Sequence, residues 1–157
     1  MPQFDIMGQL IRPLGERLIL DERFGAAGIN VFYDRKDDEI VEQNLMPAVN
    51  YFLQPDWEDI TRGSNTATLN DRKMTAQVGF GLWSYALDKE KLDTALFEMA
   101  GNLLDFLREA TDFDRITGVA VIGTIRWTPV AVFSEDNNIV GTQRIVAPFE
   151  LWSGRGA

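Results

Sequence analysis

Residues 75–110 read TAQVGFGLWSYALDKEKLDTALFEMAGNLLDFLREA, and two periods meet inside that stretch. Up to Leu87 the pattern alternates. Ala76, Val78, Phe80, Leu82, Ser84 and Ala86 fall on one side, and Gln77, Gly79, Gly81, Trp83 and Tyr85 on the other. A period of two is the pattern of a β-strand with one face turned to a core. Beyond Asp88 the period changes. Leu92, Ala95, Leu96, Met99, Ala100, Leu103, Leu104 and Leu107 recur at helical spacing and make one apolar stripe. Asp88 stands at the junction as an N-cap, since its carboxylate can accept from an unpaired amide of the first turn. A helix of this length with a single apolar face needs a sheet to lie on, and the rest of the chain has to supply it.

Upstream, Ile6, Met7, Leu10, Ile11, Leu14 and Leu18 keep a helical period. Pro13 within them predicts a kink or a fresh first turn, because proline has no amide to donate. Phe24–Gly28 is a loop, and Ile29–Tyr33 a short strand. Asp34-Arg35-Lys36-Asp37-Asp38-Glu39 is a charged run. It lacks the glycine of a calcium-binding EF-hand loop and has Leu45 where the last acidic ligand belongs, so it reads as a solvated loop. Met46–Leu53 is a second strand, with Pro47 at its start where no ladder amide is needed. Residues 54–73 form a polar excursion, a projecting loop or extended hairpin that contains Trp57 and Ile60.

Downstream, residues 116–133 read mostly as strand and 139–152 alternates, with Ser134–Asn138 as the turn between them. The two segments predict a long hairpin. Both of its faces carry apolar residues, more than a sheet with one wet face requires. Residues 153–157 read as a mobile tail. The glycines at 79 and 81 do not make a dinucleotide fingerprint, because they lie inside a strand and the third glycine is missing. Within a strand they mark a bulge or a close approach. The 157 residues make one domain.

The absent residue types restrict the chemistry. The chain has no histidine and no cysteine. That excludes a histidine general base, a thiol nucleophile, disulfides and the commonest metal ligands. The net charge of −9 opposes nonspecific attachment to nucleic acid or anionic lipid. No apolar run approaches the ~18 residues of a membrane span, and the N-terminus lacks the pattern of a signal peptide.

The expected fold is therefore α+β: a mostly antiparallel sheet, two helices packed on one face, and a long C-terminal hairpin. Five features in this order resemble the phage tail terminator family. They are the N-terminal helix with Leu10, Ile11 and Leu14, the Gly28-Ile29-Asn30-Val31-Phe32-Tyr33-Asp34 passage into a strand, and the strand opening Met46-Pro47-Ala48-Val49. A polar excursion then leads to a strand and a helix beginning near Lys89, and Val146–Trp152 closes the chain. The resemblance implies a virion protein of the head–tail interface, assembled in the host cytoplasm. It would form a homo-oligomeric ring, a hexamer, that caps the tail tube, ends its growth and joins the head connector or neck protein. DNA would pass through the lumen without specific binding, and no cofactor, metal or catalytic residue would be involved.

A ring subunit needs apolar surface beyond its own core. Trp57, Ile60, Phe149 and Trp152 are the candidates for oligomer or partner contacts, and Asp34, Asp37, Asp38 and Glu39 for an acidic, lumen-facing loop that repels DNA phosphates. The length of the hairpin also fits another neck or tail-completion protein. Two readings come from other classes. One is a small enzyme working with two carboxylates drawn from Asp34, Asp37, Asp56, Glu58 and Asp59, which would have to be held in a cleft with their pKa values pushed apart. The other is a monomeric adaptor that captures a partner strand on the hairpin edge.

Overall fold

The computed structural model describes residues 5–54, 58–59, 73–109, 119–121, 126–127, 131–135 and 138–152. A π-helical turn, Met7–Ile11, runs directly into α1, Arg12–Leu20. Pro13 sits in the first turn of α1, just past that widened turn, where the Arg12 amide donates to the carbonyl of Met7. Proline is tolerated there because an amide in the first turn of a helix needs no partner within it. The other helices are α2, Asp37–Glu42, and α3, Lys89–Arg108. Asp88 caps α3 as expected, its carboxylate accepting from the Lys91 amide at 2.8 Å.

The strands are β1 (Asn30–Tyr33), β2 (Ala48–Leu53), β3 (Glu58–Asp59), β4 (Lys73–Ala86), β5 (Val119–Val121), β6 (Arg126–Trp127), β7 (Ala131–Glu135) and β8 (Asn138–Trp152). They form one sheet in the order β1-β2-β4-β8-β5, with β3 also on β4 and with β6 and β7 also on β8. Only β1 and β2 run parallel. The architecture is α+β. β4 and β8 are its spine, paired along their length from Lys73–Trp152 to Ala86–Ile139.

The long C-terminal hairpin forms, in three pieces against β8. A continuous ladder from Val121–Phe149 would set Arg126 opposite Arg144, yet Arg126 faces Val146. From Trp127–Ile145 it would set Ala131 opposite Gly141, yet Ala131 faces Thr142. The registers of β5, β6 and β7 on β8 thus differ from one another, and the shifts fall at 122–125 and 128–130, outside the described residues. The excursion opens as a hairpin, with β3 antiparallel to the start of β4.

α1 and α3 cover one face of the sheet. Leu10, Ile11, Leu14 and Leu18 meet Leu92, Leu96, Met99, Leu103, Phe106 and Leu107 over Val49, Ala76, Val78, Phe80, Leu82, Ile145, Ala147, Phe149 and Leu151. α3 lies close to β8 because Gly141 has no side chain; a Cβ there would come within 2.7 Å of Leu92. Phe24 packs edge-on against Phe106, ring centroids 6.1 Å apart. Beside it Arg23 bonds both Asp21 and Glu109, tying the loop after α1 to the end of α3.

Two expectations are corrected here. The charged run is not all loop, because Asp37–Glu39 form the first turn of α2. Their carboxylates sit at the helix N-terminus, where the macrodipole favours them. α2 also explains the two-faced apolar pattern at one end of the sheet. Its Ile40 joins Met46, Ala48, Trp83 and Val140 in a second cluster on the face away from α1 and α3. Apolar surface on that part of the second face is covered by the chain itself.

Candidate functional site

The second face of the sheet carries the site. Residues 34–38 wall an open depression of about 680 Å³, completed by Asn50 and Phe52 of β2 and Arg144 of β8. The floor depends on glycine. A Cβ on Gly79 would collide with the Phe52 ring, so its absence lets that ring lie against β4. The Arg144 guanidinium covers the same ring, 4.9 Å from its centroid. Arg35 stacks likewise on Phe32 at 4.6 Å and lies 3.5 Å from the Glu39 carboxylate.

Asn50 fixes the wall. It is buried in the middle of β2, and its side chain reads both backbone groups of Arg35. The amide of Arg35 donates to Asn50 Oδ1 at 3.0 Å, and Asn50 Nδ2 donates to the Arg35 carbonyl at 2.8 Å. Asp34 adopts a left-handed backbone, φ 50°, and its amide donates to the Tyr51 carbonyl at 2.9 Å. Aspartate tolerates that conformation better than most residues. On the opposite face Tyr33 and Tyr51 stand with ring centroids 5.1 Å apart. Burial pushes both phenols above their ordinary range; Asp34 adds to the effect at Tyr33, and Tyr33 and Glu16 add to it at Tyr51.

The depression thus presents Asp34, Asp37 and Asp38 beside Arg35, Lys36 and Arg144. Interleaved charges on a pinned wall suit contact with a polar, charged protein surface through several ion pairs at once. They suit acid–base chemistry poorly, because Asp34, Asp37 and Asp38 are all exposed. Among the described residues no group of three or more acidic side chains is arranged to hold a metal ion. A smaller depression of about 380 Å³ follows the start of α3 and is lined by Asp88, Glu90, Lys91, Thr94, Ala95 and Glu98.

The residues singled out in the sequence scatter. Phe149 is fully buried beneath the helices, so it belongs to the chain's own core and not to an interface. The backbone of Trp152 closes β8 opposite Lys73, while its side chain lies outside the described residues. Trp57, Ile60 and Asp56 also lie outside them, as do the side chains of Glu58 and Asp59. Asp34, Asp37 and Asp38 do line one depression, with Arg35 and Lys36 of the same run and with Arg144 of β8, which the run alone did not reveal. Asn50, Phe52, Gly79 and Arg144 were missed as site residues. The one available signal was a polar residue inside the apolar run Ala48–Leu53.

Among the described residues no helix is long and apolar enough to cross a membrane. No protein-family model matches the chain, and no curated protein matches it significantly.

Proposed function

We propose that this chain is a structural ring subunit of the phage tail terminator kind, capping the tail tube and offering the surface on which the head connector docks. The observation that carries the reading is that the five features of the resemblance fall consecutively into one layered unit. The strands β1, β2, β3 of the excursion, β4 and β8 build a single sheet under the N-terminal helix and α3. Absence of histidine and cysteine, and the exposure of the clustered carboxylates, favour a structural role over catalysis. The 34–38 wall is a contact surface in this reading. Arg35, Lys36 and Arg144 offset its carboxylates locally, so repulsion of DNA from the lumen would come from the net charge of −9 over the whole chain.

The test is solution mass together with electron microscopy of the protein alone and mixed with tail tubes. A discrete ring of about six copies, alone or on tube ends, is the expected result, by the closure rule for head-to-tail interfaces. A strict monomer in both conditions overturns the reading.

A further inference from the structure

We propose that the outer face of α3 pairs antiparallel with α3 of a second copy about a two-fold axis. The inference does not rest on the ring reading, since a two-fold contact closes on itself whereas a ring is built head to tail. The inner stripe of α3 is spent on the core. On the opposite side Glu90, Thr94, Phe97, Gly101, Leu104 and Arg108 recur at alternating steps of four and three. That alternation averages the ~3.5 residues of a heptad and keeps one line along a helix, the seam by which two helices pack knobs into holes. Two residues on this line have no explanation within one copy. Phe97 is 56% exposed in the middle of the helix. Gly101 stands one turn further on, also exposed, where a Cβ would meet nothing within 4 Å. Glycine is a poorer helix former than every residue but proline, so alanine would serve the single helix better.

The line is complementary to itself, and in one direction only. Set antiparallel about a point level with Met99, it places Phe97 opposite Gly101 of the second copy, Thr94 opposite Leu104, and Glu90 opposite Arg108. In a two-fold contact each of these pairs occurs twice. The bulkiest residue on the line meets the one without a side chain, so the axes can approach closely around the Phe97 ring. The charged ends match as well. Glu90 lies in the first turn and Arg108 in the last, both exposed. Arg108 of the second copy would arrive at the depression by the start of α3, where Asp88, Glu90 and Glu98 stand against one lysine, Lys91. Its side chain is 74% exposed, and its contact with Asp105 is long, at 3.5 Å. Parallel pairing would instead set Phe97 on Phe97, Glu90 on Glu90 and Arg108 on Arg108, and like charges brought face to face oppose it. A second copy of this chain therefore fits the face in both volume and charge.

The test is sedimentation of the full chain, without tail tubes, over a range of concentrations. The expected result is a reversible dimer. Phe97→Ala and Gly101→Leu should each weaken it about tenfold or more, as loss of a central packing contact does. Gly101→Leu should at the same time hold or raise the melting temperature, because leucine favours a helix, and this separates loss of the contact from loss of the fold. Glu90→Arg and Arg108→Glu should each weaken the dimer by like-charge repulsion, and the double variant should restore it, which parallel pairing cannot do. A monomer at every concentration overturns the inference; if Phe97→Ala then loses attachment to tail tubes, the face belongs to the tube and not to a second copy. Any assembly, dimer or larger, that Phe97→Ala and Gly101→Leu leave unchanged also overturns it. So does a double charge variant no stronger than the single ones. Because the tubes are left out of the sedimentation measurement, the ring reading stands or falls separately.

Discussion

Gly101 and Gly79 are glycines with opposite meanings. Gly101 lies inside α3, and a Cβ there would meet nothing within 4 Å. Glycine costs an exposed helix interior ~1 kcal/mol relative to alanine, so Gly101→Ala should raise the unfolding free energy by about that amount in urea titrations. Gly79 is held by the Phe52 ring lying on it. Overpacking of this kind costs ~1–3 kcal/mol, so Gly79→Ala should destabilise the fold and displace the Phe52–Arg144 stack. Asn50→Ala would leave the Arg35 backbone groups without their partners and should cost ~1–3 kcal/mol. Hydrogen exchange at the Arg35 amide would rise with it; unchanged exchange would show that the wall holds itself.

Asp21 gives a pH signature. Its hydrogen bond from the Arg23 side chain holds the carboxyl below its ordinary value near 3.8, outweighing the opposing effect of burial. A depressed folded value means stability that is full above the ordinary pKa and is lost as pH falls through the folded one. Arg23→Ala should therefore weaken the fold near neutrality and flatten the acid limb of its stability curve below about pH 4. Equal acid slopes in the two proteins would show that the Arg23 bond contributes nothing to it.

Among the elements, α3 and β4 follow their periods closely. Leu96 and Leu103 are completely buried, and truncating either to alanine should cost ~2–5 kcal/mol in chemical denaturation. The stripe read from spacing was incomplete, because Phe106 is also buried, against Phe24. α2 was misread for a definite reason. Six residues, three of them acidic in the first turn, form no stable helix in isolation. What sustains α2 is Ile40 entering the cluster with Met46, Ala48, Trp83 and Val140, residues brought there by β2, β4 and β8. The breaks between β5, β6 and β7 were equally invisible, since a register exists only relative to the strand it pairs with.

In the whole molecule, the sheet is finished by α1 and α3 on one face and partly by α2 on the other. Apolar residues on two faces of a hairpin are therefore not by themselves a mark of assembly, and Phe149 shows the same thing at a single position. Among the described residues the outer edge of β1 and the charged depression stay open, and in the ring proposed above assembly should depend on such surfaces and spare the core. Leu103→Ala should lower stability without changing the mass of any ring that forms below its unfolding temperature, a separation checked by light scattering alongside calorimetry. A variant that is folded yet fails to form the ring would place α3 in the interface.

The α+β class, the Asp88 cap, the faces of β4 and the exclusion of histidine and thiol chemistry were all written in local pattern. Such features depend on residues two, three or four apart, and neighbours along the chain suffice to read them. The parallel pairing of β1, the cover that α2 gives the second face, the grip of Asn50 on Arg35 and the placing of Asp34 and Arg144 around one depression were settled only when distant segments packed. Each joins residues well separated in sequence, and no local period records which distant surface a side chain will meet.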